Sequence, residues 1–368
     1  MDRMGGADSK SVFLIAEQLR AKVPGGIGTH TKALLGALSK GKGEFPDLDL
    51  HIVATRSSGN DPLAEFDIPI RYLPFGHELF MRLSDLRVPL LGRRPGIYHS
   101  FSIQVPTVSM QSQRVVCTVH DITFVSRPDF FTKHGVRWHN KQLKMMGADD
   151  FPIVAVSEHT KTSLAATGMD EKRIYVIESG ADHLGAADTR GCERILRSIG
   201  VSEGFMLSVS TLEPRKNLSG LIEAFRQARS AHPLTPELLI VGPSGWGPSL
   251  EAVTGVHFLG HVPEGILVAL YQAASLLVYV PFEEGFGLPV VEAMRSGLPV
   301  VSSNVPSAGD AVELVDPRSP ESVATGISTL LYDFKRRQFL IEQGLIRAGQ
   351  LTWASTARKH LELWREME

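Results

Sequence analysis

The feature that most constrains the fold is a repeated alternation of short β-branched runs with helix-like segments. In the first half, the run Val12–Ala16 is followed by a helix-like pattern over Thr29–Ser39, and in the second half Phe205–Ser210 is followed by Leu218–Ala228. Strands that alternate with helices build βαβ units around a parallel sheet. The pattern predicts two doubly wound α/β domains, and because ligands bind at the carboxyl ends of such strands, we expect an active site in the cleft between them.

Chain length supports this division into domains. With 368 residues, the chain is longer than one compact core usually allows. Weak periodicity and many small residues indicate a hinge near 183–202. We therefore predict an N-terminal domain over 10–190, a C-terminal domain over 200–350 and a closing segment over 351–368.

Charge and cysteine content narrow the classes of partner and the compartment. The 38 basic and 40 acidic residues give a net charge of -2, which provides no global positive field for nucleic acid. Cys117 and Cys192 stand in no metal-binding spacing and are interpreted as reduced thiols. No apolar stretch resembles a signal segment or a membrane span, so the sequence predicts a cytoplasmic protein. No spacing of histidine, cysteine or aspartate suggests a metal site.

The most informative segment runs from Val280 to Met294, where an apolar strand breaks into a glycine loop and continues into a helix at Pro289. Proline suits the first turn of a helix because a backbone N–H at that position would have no partner within the helix, so its absence costs nothing. The amides over 286–288 are then expected to form an anion site with the helix dipole behind them. Glu284 precedes this loop and Glu292 is predicted in the first helical turn, so the two carboxylates flank the site as hydroxyl acceptors.

A basic pair follows the strand Phe205–Ser210. Arg215 offers a planar fork for phosphate oxygens and Lys216 a compact charge, so together they can balance a leaving diphosphate without a metal. A glycine loop after the first strand contains Gly25 and Gly26, whose backbone amides can approach a phosphate or a sugar. His120 ends another apolar strand and is expected to meet the reacting sugar at the carboxyl edge.

Taken together, these motifs closely resemble the retaining glycosyltransferases of family 4, which have the GT-B fold. Glu284 and Glu292 have the E-x7-E spacing of that family, Glu213–Asn217 matches its basic motif and Pro24–Gly28 its glycine loop. The tail over 349–357 is similar to the family's closing helix, which crosses back to the first domain. One stretch, 302–310, is shorter than is usual in the family, so the resemblance does not define that edge of the donor pocket.

The resemblance implies a role for each matched residue. Arg215 and Lys216 bind the diphosphate, Glu292 the ribose, and Glu284 and His120 the donor sugar. The turn Gly260–Pro263 is similar to the family's base-binding turn. The resemblance assigns catalysis to His120, Arg215, Lys216 and Glu284. It assigns donor binding to Gly25, Gly26, Arg215, Lys216, His261, Val262, Glu284, Phe286, Gly287, Leu288 and Glu292.

The activity implied is transfer of a hexose with retention, from a GDP- or UDP-sugar to a hydroxyl of a glycan, a lipid-linked or a small-molecule acceptor. Resemblance favours mannose from GDP-mannose, and neither a metal nor a cofactor is expected. A GT-B-fold isomerase or phosphorylase and a noncatalytic nucleotide-sugar-binding protein are the alternatives. The basic and apolar segment 81–94 indicates either a solvated face or peripheral contact with the inner face of the membrane.

Overall fold

The computed structural model describes residues 9–21, 25–56, 59, 61–202, 204–247 and 252–367. It divides the chain into two compact units, of which the first comprises Met1–Gly180 with Trp353–Glu368 and the second Ala181–Thr352. Val23 and Pro24 of the first glycine loop lie outside the described residues. Cys117 and Cys192 are both buried and form no disulfide.

The first unit contains a parallel sheet, which is the doubly wound type that the sequence predicts. Its described strands are β1 (Lys10–Ile15), β2 (Leu48–Ala54), β3 (Ile70–Tyr72), β4 (Gly96–Ser100), β5 (Gln113–Val119), β6 (Ile153–Ala155) and β7 (Ile174–Val176). They lie in the order β3-β2-β1-β4-β5-β6-β7, and each neighbouring pair is parallel. The helices that follow these strands are α1 (Gly25–Gly41), α2 (His77–Asp85), α3 (Thr123–Ser126), α4 (Lys133–Ala148) and α5 (Glu158–Ala165).

The second unit repeats the plan with a shorter sheet. Its described strands are β8 (Met206–Val209), β9 (Leu238–Val241), β10 (Val256–Gly260), β11 (Leu276–Tyr279), β12 (Val300–Ser302) and β13 (Glu313–Leu314), in the order β10-β9-β8-β11-β12-β13. The helices are α6 (Thr189–Ile199), α7 (Leu218–Ala231), α8 (Glu264–Ala273), α9 (Leu288–Arg295), α10 (Pro320–Tyr332) and α11 (Phe334–Gln350). Strands β9 and β11 are buried along their whole length, as expected for a sheet covered by helices on both faces.

Helix α6 lies in the stretch near 183–202 that the sequence pattern indicates as a hinge. The Asp188 carboxylate accepts a hydrogen bond from the amide of Gly191 at 2.9 Å, which caps the helix at its start. Gly200 ends it in the left-handed conformation at φ 73°, and the amide of Val201 returns to the Leu196 carbonyl at 3.0 Å. The structure therefore has a capped helix where small residues indicated a flexible connection.

The last helix, α12 (Trp353–Glu366), belongs to the first unit and packs against α1. It brings His360 and Trp364 into the core beside His99 of β4, and all three side chains are buried. The indole of Trp364 donates to Nδ1 of His99 at 3.0 Å, so that nitrogen carries no proton. Burial lowers the pKa of His99 well below its usual value and that of His360 to about 4.

These buried imidazoles predict that the first unit loses stability in mild acid. The unfolded chain binds a proton at His360 near pH 6.5, whereas the folded chain keeps this side chain neutral until about pH 4. The contribution of His360 to the free energy of unfolding, about 3 kcal/mol, is therefore present at pH 7 and is lost as the pH falls from about 6.5 towards 4. We expect His360→Leu to reduce this fall in the free energy of unfolding, measured by urea titration with tryptophan fluorescence. An equal fall in parent and variant would contradict the assignment.

Candidate active site

Two loops meet at the carboxyl ends of the neighbouring strands β8 and β11. The first contains a short 3-10 turn, Pro214–Lys216, and the second is the glycine loop that leads into α9. The amide of Phe282 donates to the carbonyl of Arg215 at 2.9 Å, which joins the loops. Asn217, in the left-handed conformation at φ 56°, donates from its side chain to the Val280 carbonyl at 3.2 Å. The basic motif and the glycine loop therefore form one cluster, although they are far apart in the sequence.

Glu284 is the centre of this cluster. Its Oε2 atom accepts hydrogen bonds from the Lys216 ammonium group and, at 2.8 Å, from the hydroxyl of Tyr279. A guanidinium nitrogen of Arg215 lies 3.2 Å from the same atom. Arg215 also pairs with Glu213 at 2.9 Å. The structure thus brings together three of the residues predicted for catalysis, namely Arg215, Lys216 and Glu284. It adds two residues to which sequence reasoning gave no role of their own, Tyr279 and Glu213.

The charges around Glu284 fix its protonation state. Burial alone would raise the pKa of this carboxyl group, but Arg215 and Lys216, with hydrogen bonds from Lys216 and Tyr279, outweigh burial and lower the pKa well below the ordinary value. Burial and the neighbouring Glu284 raise the pKa of Tyr279, so its hydroxyl remains a donor. Glu284 is therefore an ionised acceptor at neutral pH.

Glu292 occupies a different environment from the one predicted. It lies in the second turn of α9, not the first, and it is only 5% exposed, so it is not a solvated glutamate at a helix start. The hydroxyl of Tyr271 on α8 donates to its Oε2 atom at 2.8 Å, and Nε2 of His183 lies 3.1 Å from Oε1. Burial, followed by the charge of Glu292, raises the pKa of Tyr271 well above its usual value. Sequence reasoning missed both partners, and no motif marks them.

The shortened segment after β12 supports the glycine loop directly. The hydroxyl of Ser307 donates to the carbonyl of Gly287 at 3.0 Å, and its amide donates to the carbonyl of Phe286 at 3.0 Å. Gly287 has φ 99°, and a Cβ atom there would lie 3.0 Å from the Ser307 hydroxyl. Phe286 and Gly287 are buried and Leu288 begins α9. The segment after β12 therefore supports the observed conformation of the glycine loop.

The predicted base-binding turn, Gly260–Pro263, begins at the last residue of β10. Gly260 has φ 67°, His261 is exposed and Val262 is 6% exposed. The carbonyl of Gly260 accepts a hydrogen bond from the amide of Gly242 at 2.9 Å. This turn is thus joined to the loop that follows β9, at the same edge of the sheet as the cluster around Glu284.

The remaining predicted residues lie in the first unit. His120 follows β5, and its Nε2 atom lies 3.0 Å from the carbonyl of Phe101. Its ring makes an edge contact with His30 at 4.8 Å. Gly25 begins α1 with φ 59°, and Gly26 follows it. His120 and these glycines both lie in segments that follow strands of the first sheet.

Within the described part of the chain, no group of three histidine, cysteine, aspartate or glutamate residues has the arrangement of a metal site. Among the same residues, every helix is too short or too polar to span a bilayer.

Comparison with known families gives two adjoining matches. Residues 24–183 match the model described as Glycosyltransferase Family 4, and residues 197–346 match that of Glycosyl transferases group 1. The O-antigen chain mannosyltransferase B of Escherichia coli is 30% identical over 285 residues, which cover 73% of this chain and 74% of the relative.

A second relative and a solved structure extend the comparison. The D-inositol 3-phosphate glycosyltransferase of Corynebacterium glutamicum is 31% identical over 242 residues, which cover 59% of this chain and 58% of that protein. The crystal structure of Anabaena HepE in complex with UDP and glucose superposes with a TM-score of 0.69 at 18% identity, over 97% of this chain and 100% of that chain. This likeness confirms the GT-B fold class.

Proposed function

Because the chain belongs to glycosyltransferase family 4, we propose that it transfers a hexose, with retention, from a nucleoside diphosphate sugar to an acceptor hydroxyl. One observation carries the proposal: Arg215, Lys216 and Glu284 form a partly buried charged cluster at the carboxyl ends of β8 and β11. These strands lie where the strand order reverses, which is the usual ligand position in doubly wound sheets. The cations suit a diphosphate, and the carboxylate suits sugar hydroxyls.

The proposed roles follow the chemistry of each side chain. Arg215 and Lys216 stabilise the leaving diphosphate, with the amides of Phe286, Gly287 and Leu288 at the start of α9. Glu284 accepts a hydroxyl of the donor sugar, and Glu292 accepts the ribose hydroxyls. The proposed contacts of His120, Gly25 and Gly26 with the donor, and of His261 and Val262 with the base, depend on the family resemblance.

We propose attack of the acceptor on the same face of the sugar from which the diphosphate departs. The acceptor oxygen bonds to the anomeric carbon as the bond from that carbon to the phosphate oxygen breaks. The departing phosphate oxygen takes the acceptor proton, so no covalent enzyme intermediate forms. In this scheme Arg215 and Lys216 replace a divalent metal, because they stabilise the charge that develops on the phosphate.

The donor is proposed to be GDP-mannose, and the acceptor a hydroxyl of a glycan, a lipid-linked or a small-molecule substrate. The mannosyltransferase relative supports the sugar. HepE, which was solved with UDP and glucose, supports UDP-sugars as the competing donors. Thermal shift with GDP and UDP separates the two bases, because a ligand at about 100 times its Kd stabilises the folded chain by about 2.7 kcal/mol. Absence of a shift with both nucleotides would overturn the proposed function.

Glu292→Ala is expected to weaken nucleoside diphosphate binding by about 1–3 kcal/mol, because charge-assisted hydrogen bonds to the ribose are lost. Isothermal calorimetry with GDP or UDP measures this change. Glu292→Gln, which keeps a partner for Tyr271, distinguishes a binding effect from a folding defect. Glu223→Ala, an exposed position on α7, is the matched control. If the parent and both Glu292 variants bind GDP and UDP with equal affinity, the proposal that Glu292 binds the ribose is wrong.

We further propose a cytoplasmic location with peripheral contact at the inner face of the membrane. The stretch around α2 exposes Leu79 at 48% and Leu86 at 73%, with the exposed cations Arg82, Arg93 and Arg94 nearby in the sequence. Apolar and basic side chains together favour an anionic bilayer surface. The side chains of Met81 and Asp85 in this segment lie outside the described residues.

A further inference from the structure

We propose that Trp246 is the platform on which the base of the nucleotide stacks. The inference rests on the proposed function, since it assumes that a nucleoside diphosphate binds the second unit. Trp246 follows β9 and is 50% exposed, although it lies between two glycines in a closely packed loop. An exposed indole on a fixed loop is a surface that an aromatic ligand can cover.

The described residues of the loop that carries Trp246, 242–247, are held by backbone contacts. Leu212 and Ser244 form a parallel bridge, and the amide of Leu212 donates to the Pro243 carbonyl at 3.1 Å. The amide of Gly247 donates to the carbonyl of Leu212 at 3.1 Å. A Cβ atom at Gly245 would approach that carbonyl to 2.5 Å, so only glycine permits this packing. The backbone on both sides of the indole, at Gly245 and Gly247, is therefore packed against Leu212.

The diphosphate position determines where the base can lie. The proposed phosphate ligands, Arg215 and Lys216, follow Leu212 in the chain after Glu213 and Pro214, so the loop that carries Trp246 contacts the segment that leads to them. A nucleoside that leaves this position can extend towards β12 or towards β9 and β10, because β8 and β11 are central in the sheet.

The β12 side is occupied by the chain itself. Ser307 contacts the carbonyls of Phe286 and Gly287, and the hydroxyl of Ser303 donates to the Pro281 carbonyl at 2.7 Å. These bonds pack the segment after β12 onto the glycine loop. A ribose and a base therefore extend towards the other side of the sheet.

The position of Glu292 also indicates that the ribose and the base extend towards β9 and β10. Its carboxylate contacts Tyr271 on α8, the helix that follows β10. Gly260, the last residue of β10, accepts a hydrogen bond from the amide of Gly242, where the loop that carries Trp246 begins. A ribose at Glu292 thus directs its base towards the loops after β9 and β10, where Trp246 supplies an exposed aromatic face. Stacking of this kind tolerates every base, because each base has a π-face.

The test compares ligands with and without a base on the full chain. Trp246→Ala is expected to raise the Kd for GDP and UDP by about 10-fold, in the range for loss of one base stack. Its Kd for inorganic pyrophosphate should remain unchanged. Trp246→Phe retains a ring and should stay within about threefold of the parent for all ligands. Phe334→Ala, an aromatic of the second unit that is 66% exposed, is the control and should change none of these constants.

Fluorescence gives a second measurement. GDP should quench the tryptophan emission of the parent more than that of Trp246→Phe, because a stacked base contacts the indole directly. Equal affinities of parent and Trp246→Ala for GDP and UDP would overturn the stacking proposal and leave the proposed function intact. A weakening that is the same for pyrophosphate as for GDP would also overturn it, since the loop would then act on the phosphates. Failure of the parent to bind either nucleotide would instead overturn the proposed function.

Discussion

Lys216→Ala and Arg215→Ala are each expected to lower kcat for glycosyl transfer by about 100- to 1,000-fold, the usual effect of removing one donor that stabilises developing charge. Negative charge on the diphosphate increases as its bond to the sugar breaks. The cations that face it therefore contribute more in the transition state than in the bound donor. Steady-state kinetics and calorimetry should show a larger fall in kcat than in donor affinity.

Two controls test whether the fall in kcat is specific to Arg215 and Lys216 and whether a metal ion is involved. Arg226→Ala removes one cation from an exposed position on α7 and should leave kcat unchanged. Transfer by the parent should survive excess EDTA, because Arg215 and Lys216 are proposed to act where other enzymes use a divalent ion. Loss of activity in EDTA, with recovery on addition of Mg²⁺ or Mn²⁺, would assign this task to a metal and contradict the proposed roles of both residues.

The strands and loops of the second unit were predictable because their patterns are strong. Leu238–Val241 is a continuous apolar run, and the structure has β9 over the same residues. Such runs are typical of parallel strands that helices cover on both faces. The first unit was less predictable: β3 contains three residues at the edge of its sheet, too few for a periodic signal. Helix α6 is not evident from the sequence, because its caps, Asp188 and Gly200, lie in a stretch of weak periodicity with many small residues.

The chemistry of the site was predictable only at the level of motifs. Charged residues after strands identify Arg215, Lys216 and Glu284, since parallel strands bring their carboxyl ends to one edge. Their mutual pairing depends on side-chain positions that no spacing encodes. Tyr279 and Tyr271 have the pattern of core residues, and each became recognisable as a polar partner only from its hydrogen bond to a glutamate. Buried tyrosines usually find such a partner for the hydroxyl group.

Glu284→Gln is expected to lower kcat by about 100-fold while nucleoside diphosphate binding remains nearly intact. The three contacts of this carboxylate with Arg215, Lys216 and Tyr279 all go to Oε2, and we propose that Oε1 accepts the hydroxyl of the donor sugar. Glutamine keeps the shape but loses the charge that orients and binds this hydroxyl, and charged acceptors form the stronger hydrogen bonds. Calorimetry with GDP or UDP, beside kinetics with the sugar donor, separates the two effects.

The cluster around Glu284 also determines the direction in which Glu284→Gln should change the affinity for a nucleoside diphosphate. In the unliganded chain, Arg215 and Lys216 are neutralised in part by Glu284, so a diphosphate must compete with that carboxylate for both cations. Removing the negative charge ends the competition, and the Kd for a nucleoside diphosphate should stay within about threefold of the parent or fall below it. Glu292→Ala should show the opposite pattern, with weak nucleotide binding as its main defect. If Glu284→Gln weakens nucleotide binding and spares kcat, the proposed tasks of the two glutamates are reversed.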